Sequence, residues 1–133
     1  MEGKIRIAIT QGDINGVGWE VVLKSFEDPT MLELCTPVIY GSPKVATYHR
    51  KTMDIQTSFS IISSATDAAD DAVNIVSSND DEAKVEFAKT DAEAGKAAWY
   101  ALRYCLYTSL HGSNYSNNSL HTATILLQVP VQT

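Results

Sequence analysis

The sequence predicts an α/β domain with a mostly parallel sheet and flanking helices. Segments with strand character alternate with segments of helical spacing, in the order strand, helix, strand, helix, strands, helix. This alternation is typical of a parallel sheet covered by helices. The chain has 133 residues, of which 44% are hydrophobic and 20% charged. These values fit one globular domain of ordinary size and composition.

Charge excludes two classes of partner. The formal net charge is −6, from 10 basic and 16 acidic residues. Nucleic-acid-binding proteins carry a basic patch or stripe, and anionic membranes attract basic segments. No apolar run approaches the roughly 20 residues of a membrane-spanning helix. We therefore expect neither nucleic acid nor a membrane as a partner.

The amino terminus and the two cysteines indicate a cytoplasmic protein. Residues 1–4 lead directly into a strand, without the basic segment and apolar block of a secretory signal. Cys35 and Cys105 have neither metal-ligand spacing nor the pattern of a disulfide scaffold. We expect both to be reduced, buried thiols.

The first three elements follow from local pattern. Residues 4–10 carry isoleucine at alternate positions, which predicts a strand with one apolar face. Residues 11–17 are rich in glycine, aspartate and asparagine and predict a loop. Residues 18–27 have apolar side chains at helical spacing. Glu20 lies in the first turn of that helix, where the helix dipole favours a carboxylate.

The next elements are marked by two prolines. Pro29 ends the first helix, and residues 30–35 predict a second, short one. Residues 37–40 form an apolar run and predict the second strand. Ser42-Pro43 then has the order of an N-cap followed by proline at the first helical position, which predicts a helix to about Met53.

Two further strands and a long helix complete the predicted domain. Residues 59–62 and 74–76 have strand composition, and the acidic, alanine-rich residues 63–72 between them predict a surface connection. Residues 91–106 predict a helix with one apolar face. That face comprises Ala94, Ala97, Ala98, Ala101 and Leu102, with Trp99 and Cys105 near its edges.

The composition changes after Arg103. No charged residue follows it, and no acidic residue follows Glu93. At a typical charged fraction, such a run arises by chance in roughly one case in several thousand. We therefore divide the chain into an α/β part, residues 1–103, and an atypical tail, residues 104–133. Two interpretations of the tail stay open: a polar loop followed by an edge strand at residues 124–131, or a segment never selected to fold, such as the product of a shifted reading frame.

The loop after the first strand carries the pattern most relevant to function. Its glycines, Gly12, Gly16 and Gly18, permit positive φ angles and close approach of backbone to a ligand. Free N–H groups at the following helix start favour an anion or a phosphate. Ligands in open α/β sheets bind outside the carboxyl ends of the strands, where this loop lies. A tight turn without ligand contact explains the same glycines, so both interpretations stay open.

The loop matches neither of two common nucleotide-binding patterns. Its glycine spacing is not that of the dinucleotide fingerprint, and no Gly-Lys-Ser/Thr of a P-loop follows. Asp13 and Glu20 are its candidate carboxylates. Each also has a structural interpretation: Asp13 would brace the loop through backbone hydrogen bonds, and Glu20 would serve as a first-turn helix residue.

Gly12-Asp13-x-x-Gly16-x-Gly18-x-Glu20, directly after an amino-terminal strand, resembles the opening signature of the 4-hydroxythreonine-4-phosphate dehydrogenase family. That family usually has proline where this chain has Ile14 and Trp19. Residues 38–42, a strand end followed by a helix, and residues 93–98, within a helix, are similar to further parts of the family pattern. The resemblance covers roughly residues 4–103 and the amino-terminal part of the family's chain.

The resemblance implies an isopropylmalate-dehydrogenase-like fold. It also implies oxidation of 4-(phosphooxy)-threonine with NAD or NADP in pyridoxal phosphate biosynthesis, with decarboxylation following. In the family, a divalent metal held by histidines from both subunits of a homodimer polarises the substrate hydroxyl and carbonyl. The residues that would line the substrate or cofactor cleft are Gly12, Asp13, Asn15, Gly16, Gly18 and Glu20.

The family's metal histidines, phosphate-binding His-Thr pair and cofactor loop lie after the matched region. We therefore expect neither the metal nor the nicotinamide cofactor to bind fully to this chain, and we expect no catalysis by the chain alone. One alternative is a small non-catalytic α/β module that binds a phosphorylated ligand. Another is an unstable remnant whose exposed strand edges and apolar faces cause association.

We assign none of the three histidines as a metal ligand. His49 lies beside two basic residues on its predicted helix, and we expect it on a solvated face. His111 and His121 are ten residues apart in the atypical tail and are left unassigned. The acidic run Asp80-Asp81-Glu82 predicts a solvated turn.

Overall fold

The computed structural model describes residues 5–12, 14–64, 67–77, 92–111 and 125–126. The strands are β1 (Ile5–Thr10), β2 (Cys35–Gly41), β3 (Phe59–Ile62), β4 (Val73–Ser77) and β5 (Ile125–Leu126). The helices are α1 (Gly18–Ser25), α2 (Pro29–Leu34), α3 (Pro43–Thr52) and α4 (Ala92–His111). The described strands form one sheet in the order β3-β4-β2-β1-β5, and each neighbouring pair is parallel. The predicted α/β class with a mostly parallel sheet is confirmed.

The centre of the sheet is covered on both faces, as parallel sheets require. Every residue of β2 is buried, and its register with β1 runs from the pair Ile5 and Cys35 to the pair Thr10 and Tyr40. One apolar cluster lies where α1 and α3 pack and includes Ile9, Ile39 and Ile75. A second cluster contains Ala8, Val38, Tyr40, Val76 and Cys105. The side chains of consecutive residues alternate between the two clusters because strand side chains point to opposite faces.

Two helices begin at side-chain caps, and the cap at Ser42 is the one that the sequence predicts. Ser42 Oγ accepts a hydrogen bond from the backbone N–H of Val45, and Pro43 occupies the first helical position of α3. Asp28 caps α2 by accepting from the N–H of Thr30, with Pro29 at its first position. These side chains satisfy N–H groups that have no partner within the helix. The predicted helices 18–27, 30–35 and 42–53 therefore exist, with ends shifted by one or two residues.

Some predicted details are wrong. Cys35 is extended backbone at the start of β2 and is not part of the second helix. Its pairing with Ile5 in the sheet determines this conformation. Trp99 is 58% exposed, outside the apolar face of α4, on which Ala97, Ala98, Ala101 and Cys105 are buried.

The helix α4 continues past the predicted boundary at residue 103. Cys105 is fully buried, and the ring of Tyr104 lies 5.7 Å from that of Tyr40, centroid to centroid. Beyond residue 111 the structure describes β5, which pairs with the end of β1. The division at residue 103 and the character of residues 112–124 and 127–133 stay predictions, since those two segments lie outside the described residues.

Cys35 and Cys105 are both buried and form no disulfide, as predicted. No helix in the described part of the chain has both the length and the apolar character of a membrane span. The acidic run at residues 80–82 lies outside the described residues. Asp70, in the predicted surface connection, is within 3.5 Å of Arg6 and ties that connection to β1.

Candidate functional site

The glycine loop lies at the carboxyl edge of the sheet, beside the ends of two strands. It follows β1, and Ser42 follows β2 at the same edge because the two strands are parallel. The backbone N–H of Gln11 donates to the carbonyl of Tyr40 at 3.0 Å and extends the pairing into the loop. We call residues 11–19 the glycine loop.

The loop follows a strand that has a neighbour on each side. From β1 the chain passes to β2 on one side, whereas β5, the last of the described strands, pairs with β1 on the other side. In open α/β sheets, ligands bind outside the carboxyl ends of the strands, where this loop lies.

The glycines of the loop have distinct surroundings. Gly12 is buried and has φ of 67°, in the left-handed region that favours glycine. Gly18 is buried at the first position of α1, and Gly16 is half-buried. The positive φ angle is a conformational reason for glycine at position 12. A tight turn explains it without any contact to a ligand.

The polar residues predicted for the site are only partly brought together. Asn15 is buried within the loop, whereas Glu20 lies half-exposed in the first turn of α1. Glu20 Oε1 accepts from Lys24 Nζ at 2.7 Å, one helical turn later, and both of its predicted roles stay predictions. Asp13 lies outside the described residues, so its predicted role stays a prediction.

The two departures from the family pattern are both buried. Ile14 is fully buried, and its carbonyl accepts a hydrogen bond of 2.7 Å from His49 Nε2. Trp19 is 1% exposed, and its indole N–H donates to Gln11 Oε1 at 3.2 Å. Large side chains at these positions therefore become part of the core beneath the loop.

The expectation for His49 is wrong. Its side chain is fully buried on α3 and contacts the glycine loop, instead of lying on a solvated face. Val45 and Ala46 precede it by four and three residues, so the three share one helical face, and that face is buried. This spacing is the signal in the sequence that identifies the buried face; the basic neighbours Arg50 and Lys51 lie off it.

Gln11 is a buried polar residue that the sequence reasoning did not single out. Its Oε1 also accepts from the backbone N–H of Ser42 at 3.0 Å, and its Nε2 donates to the carbonyl of Ala97 at a longer 3.4 Å. One side chain thus joins the loop to α1, α3 and α4. The sequence does contain a signal for Gln11: it is a polar residue directly after a predicted buried strand, at the carboxyl edge of the sheet.

Gly41 makes room for this arrangement. A Cβ atom at Gly41 would lie 2.7 Å from Gln11 Oε1 and 2.8 Å from both Gln11 Cβ and Trp19 Cζ2. Distances this short are not tolerated between non-bonded heavy atoms, whose optimal separation is about 3.5–4.0 Å. Glycine at the end of β2 is therefore required for the close contact between the two strand ends and α1.

The divalent metal implied by the resemblance does not fit the described residues. No group of three or more His, Cys, Asp or Glu side chains converges within that part of the chain. His49 uses Nε2 for the Ile14 carbonyl, and Glu20 pairs with Lys24. The side chain of His111 and all of His121 lie outside what the structure describes. We therefore place no metal on these residues and derive no chemical step through one.

Comparison in sequence connects this chain to enzymes of known class. No family model matches the chain. It is 66% identical over 101 residues to a 4-hydroxythreonine-4-phosphate dehydrogenase of Bacteroides thetaiotaomicron. This match includes 76% of the present chain and 28% of the relative, so the chain spans little more than a quarter of that protein's length.

Solved structures support the same connection. A 4-hydroxythreonine-4-phosphate dehydrogenase from Burkholderia phymatum aligns with a TM-score of 0.70 and 26% identity, over 82% of this chain and 34% of that one. The enzyme of the same name from Klebsiella pneumoniae aligns with a TM-score of 0.68 over 85% of this chain and 34% of that one. At 21% identity, the second match supports the fold alone.

Fold and loop position define the class: an α/β protein with part of an isopropylmalate-dehydrogenase-like fold. Within that class, the chain is similar over the matched residues to the 4-hydroxythreonine-4-phosphate dehydrogenases, as the glycine motif predicts.

Proposed function

We propose that this chain provides one wall of the active-site cleft of an NAD- or NADP-dependent dehydrogenase that oxidises 4-(phosphooxy)-threonine in pyridoxal phosphate biosynthesis. The observation that carries the proposal is the 66% identity over 101 residues with the Bacteroides thetaiotaomicron enzyme. The position of the glycine loop, at the carboxyl edge of the parallel sheet, supports it.

In this proposal the chain binds and orients the substrate or cofactor. The glycine loop is anchored from below by buried side chains, and Gly16 and Val17 are its described residues that reach solvent. Preorganised backbone donors lose little entropy when a ligand binds. The residues proposed to line the cleft are Gly12, Asp13, Asn15, Gly16, Gly18 and Glu20.

We propose further that the chain does not turn over substrate by itself. The matched region is 28% of the curated relative, and the described residues converge on no metal site. The metal would polarise the substrate hydroxyl and carbonyl, and its ligands would come from outside the described residues. The complete active site would then form in a homodimer of a longer chain.

A chimera tests the proposal. The matched region of the Bacteroides thetaiotaomicron enzyme is replaced by the corresponding 101 residues of this chain. Reduction of NAD or NADP is then followed with 4-(phosphooxy)-threonine and a divalent metal. We expect turnover by the chimera and none by the 133-residue chain. A folded, dimeric chimera without turnover would contradict the proposal.

The chimera also has a matched control. Because Gly12 has φ of 67°, Gly12→Ala strains the loop backbone. Gly95→Ala makes the same chemical change in the helix α4, where alanine is favoured over glycine. We expect Gly12→Ala to lower kcat/KM at least about tenfold, the effect of roughly 1.4 kcal/mol on the barrier, and Gly95→Ala to leave it unchanged.

The second candidate is a non-catalytic α/β module that binds a phosphorylated ligand. The described residues favour it in one respect, since they contain the anchored loop and no converging metal ligands. Saturable binding of 4-(phosphooxy)-threonine to the 133-residue chain, combined with an inactive chimera, would select this candidate over the first.

A further inference from the structure

Gln11 closes the glycine loop at its base. It directly precedes Gly12, and Trp19, whose indole donates to it, directly follows Gly18. The hydrogen bond between the two side chains therefore encloses residues 12–18 in a ring. Joining the two ends removes conformations that a free loop would sample, so a ligand has less loop entropy to overcome on binding.

The partners of Gln11 fix the orientation of its amide. The indole N–H of Trp19 and the backbone N–H of Ser42 can only donate, so the atom facing both must be the oxygen. The amide nitrogen then faces the carbonyl of Ala97, which can only accept. Three partners of fixed character make the side chain specific for glutamine, because a glutamate would present an oxygen to the Ala97 carbonyl.

Gln11 also sets the position of the loop relative to the next strand. Ser42 caps α3, and its backbone N–H is held by Gln11 Oε1 at 3.0 Å. The start of α3 and the start of α1 are thereby fixed to one atom at the carboxyl edge. Gln11 is 1% exposed, so it acts on any ligand through the loop and not by direct contact.

We propose that Gln11 is a positioning residue: through Trp19 and Ser42 it holds residues 12–18 in the conformation that forms the wall of the cleft. The conformational role depends only on the contacts around Gln11. Its consequence for catalysis rests on the proposed function.

The first test uses the 133-residue chain with Gln11→Met. Methionine has a similar length and no amide. We expect the Ser42 N–H and the Trp19 indole N–H to exchange with solvent about tenfold faster, the effect of losing one neutral buried hydrogen bond. The NMR resonances of Gly12, Gly16 and Gly18 should shift. The backbone N–H of Gln11, which donates to Tyr40, should keep its protection because the sheet remains paired.

A matched control and a second variant separate positioning from general destabilisation. Gln56→Met makes the same change at an exposed glutamine and should move none of these resonances. Trp19→Phe removes the indole donor together with part of a buried ring. If Gln11 acts through Trp19, Gln11→Met should shift the loop resonances less in the Trp19→Phe background than in the unmodified chain. Unchanged loop resonances in Gln11→Met, or equal shifts in both backgrounds, would overturn the proposal.

The second test places Gln11→Met and Gln56→Met in the chimera. We expect kcat/KM to fall about tenfold with Gln11→Met alone, and the circular dichroism spectrum to stay unchanged. An active chimera that tolerates Gln11→Met without loss overturns the positioning role in catalysis. If the unmodified chimera is inactive, the proposed function fails, and the exchange and resonance data on the 133-residue chain still decide whether Gln11 positions the loop.

Discussion

Single buried polar residues hold the candidate site together. His49 Nε2 donates to the Ile14 carbonyl from α3, and Gln11 accepts from Trp19 and Ser42. Both side chains are buried, where an unmade hydrogen bond costs more than a made one contributes. The two side chains therefore act on the conformation of the loop. Each disfavours other loop conformations, in which carbonyl and N–H groups would be buried without hydrogen-bond partners.

Replacing His49 with phenylalanine should show this cost. The variant keeps a planar ring but leaves the buried Ile14 carbonyl without its donor, so we expect a loss of about 1–3 kcal/mol in the free energy of unfolding. Urea denaturation of the 133-residue chain measures it. The exposed Lys51→Ala on the same helix is the control and should change stability by less than about 0.5 kcal/mol. Equal effects of the two substitutions would show that the contact does not stabilise the fold.

Gly41→Ala should destabilise for a steric reason. The added methyl group meets Gln11 and Trp19 at 2.7–2.8 Å, and these side chains cannot both move because they are hydrogen-bonded to each other. We expect a loss of about 1–3 kcal/mol, typical of an overpacked core. Gly95→Ala, inside α4, should stabilise by up to about 1 kcal/mol. Thermal denaturation distinguishes the opposite signs, and a neutral Gly41→Ala would contradict the crowding.

Among the elements, the short helix α2 has a charged side-chain cap. None of its own residues is buried, although Met31 and Leu32 pack, partly buried, against the first apolar cluster. Asp28 accepts hydrogen bonds from the backbone N–H and the side chain of Thr30, and these lower the pKa of the Asp28 carboxyl below its usual value. The negative charge of Asp28 at the amino-terminal end of α2 also complements the helix dipole.

The cap should make the stability of the chain depend on pH in one direction. A lowered folded-state pKa means that the Asp28 contribution is present above the usual carboxyl pKa of about 3.9 and is lost as the pH falls through the folded value. Asp28→Asn keeps a capping oxygen that does not titrate. We expect the melting temperature of Asp28→Ala to be lower than that of the unmodified chain at neutral pH, with the difference disappearing in acid. A constant difference at all pH values would contradict a charged cap.

For the whole molecule, α4 extends the α/β part beyond the residue where composition changes. Tyr104 and Cys105 pack on Tyr40 and its neighbours in the second apolar cluster, which covers the face of β2. A chain ending at residue 103 would expose that cluster. In the described residues, packing on the sheet continues through Cys105, two residues past the change in composition.

Two truncations test how far the folded part reaches. We expect a chain ending at residue 111 to melt at a higher temperature than one ending at residue 103, because it keeps the cover over Tyr40. Losing that cover should cost about 2 kcal/mol or more, the value for one or two large buried side chains. Equal melting temperatures would instead support a boundary at residue 103, and a large loss from removing residues 112–133 would show that this segment contributes through β5.

Local signals explain why much of the fold follows from the sequence. Alternating isoleucines identify β1, the Ser42-Pro43 pair identifies the start of α3, and the glycine motif identifies the loop and the enzymes to which the chain is similar. Cap and turn residues act on backbone within a few positions, so their effects do not depend on the rest of the chain. These local signals therefore predict the existence, type and order of most of the described elements, whereas the start of β2 depends on pairing in the sheet.

Only the tertiary structure decides which side chains support the candidate site. Gln11 meets Ser42 and Ala97, 31 and 86 positions away, and His49 meets Ile14 across 35 positions. Burial of His49, exposure of Trp99 and the crowding at Gly41 all depend on how helices are placed on the sheet. Periodicity identifies the face of an element, but contacts between distant segments depend on the packing of the whole fold, and a pattern within one segment contains no information about its partner.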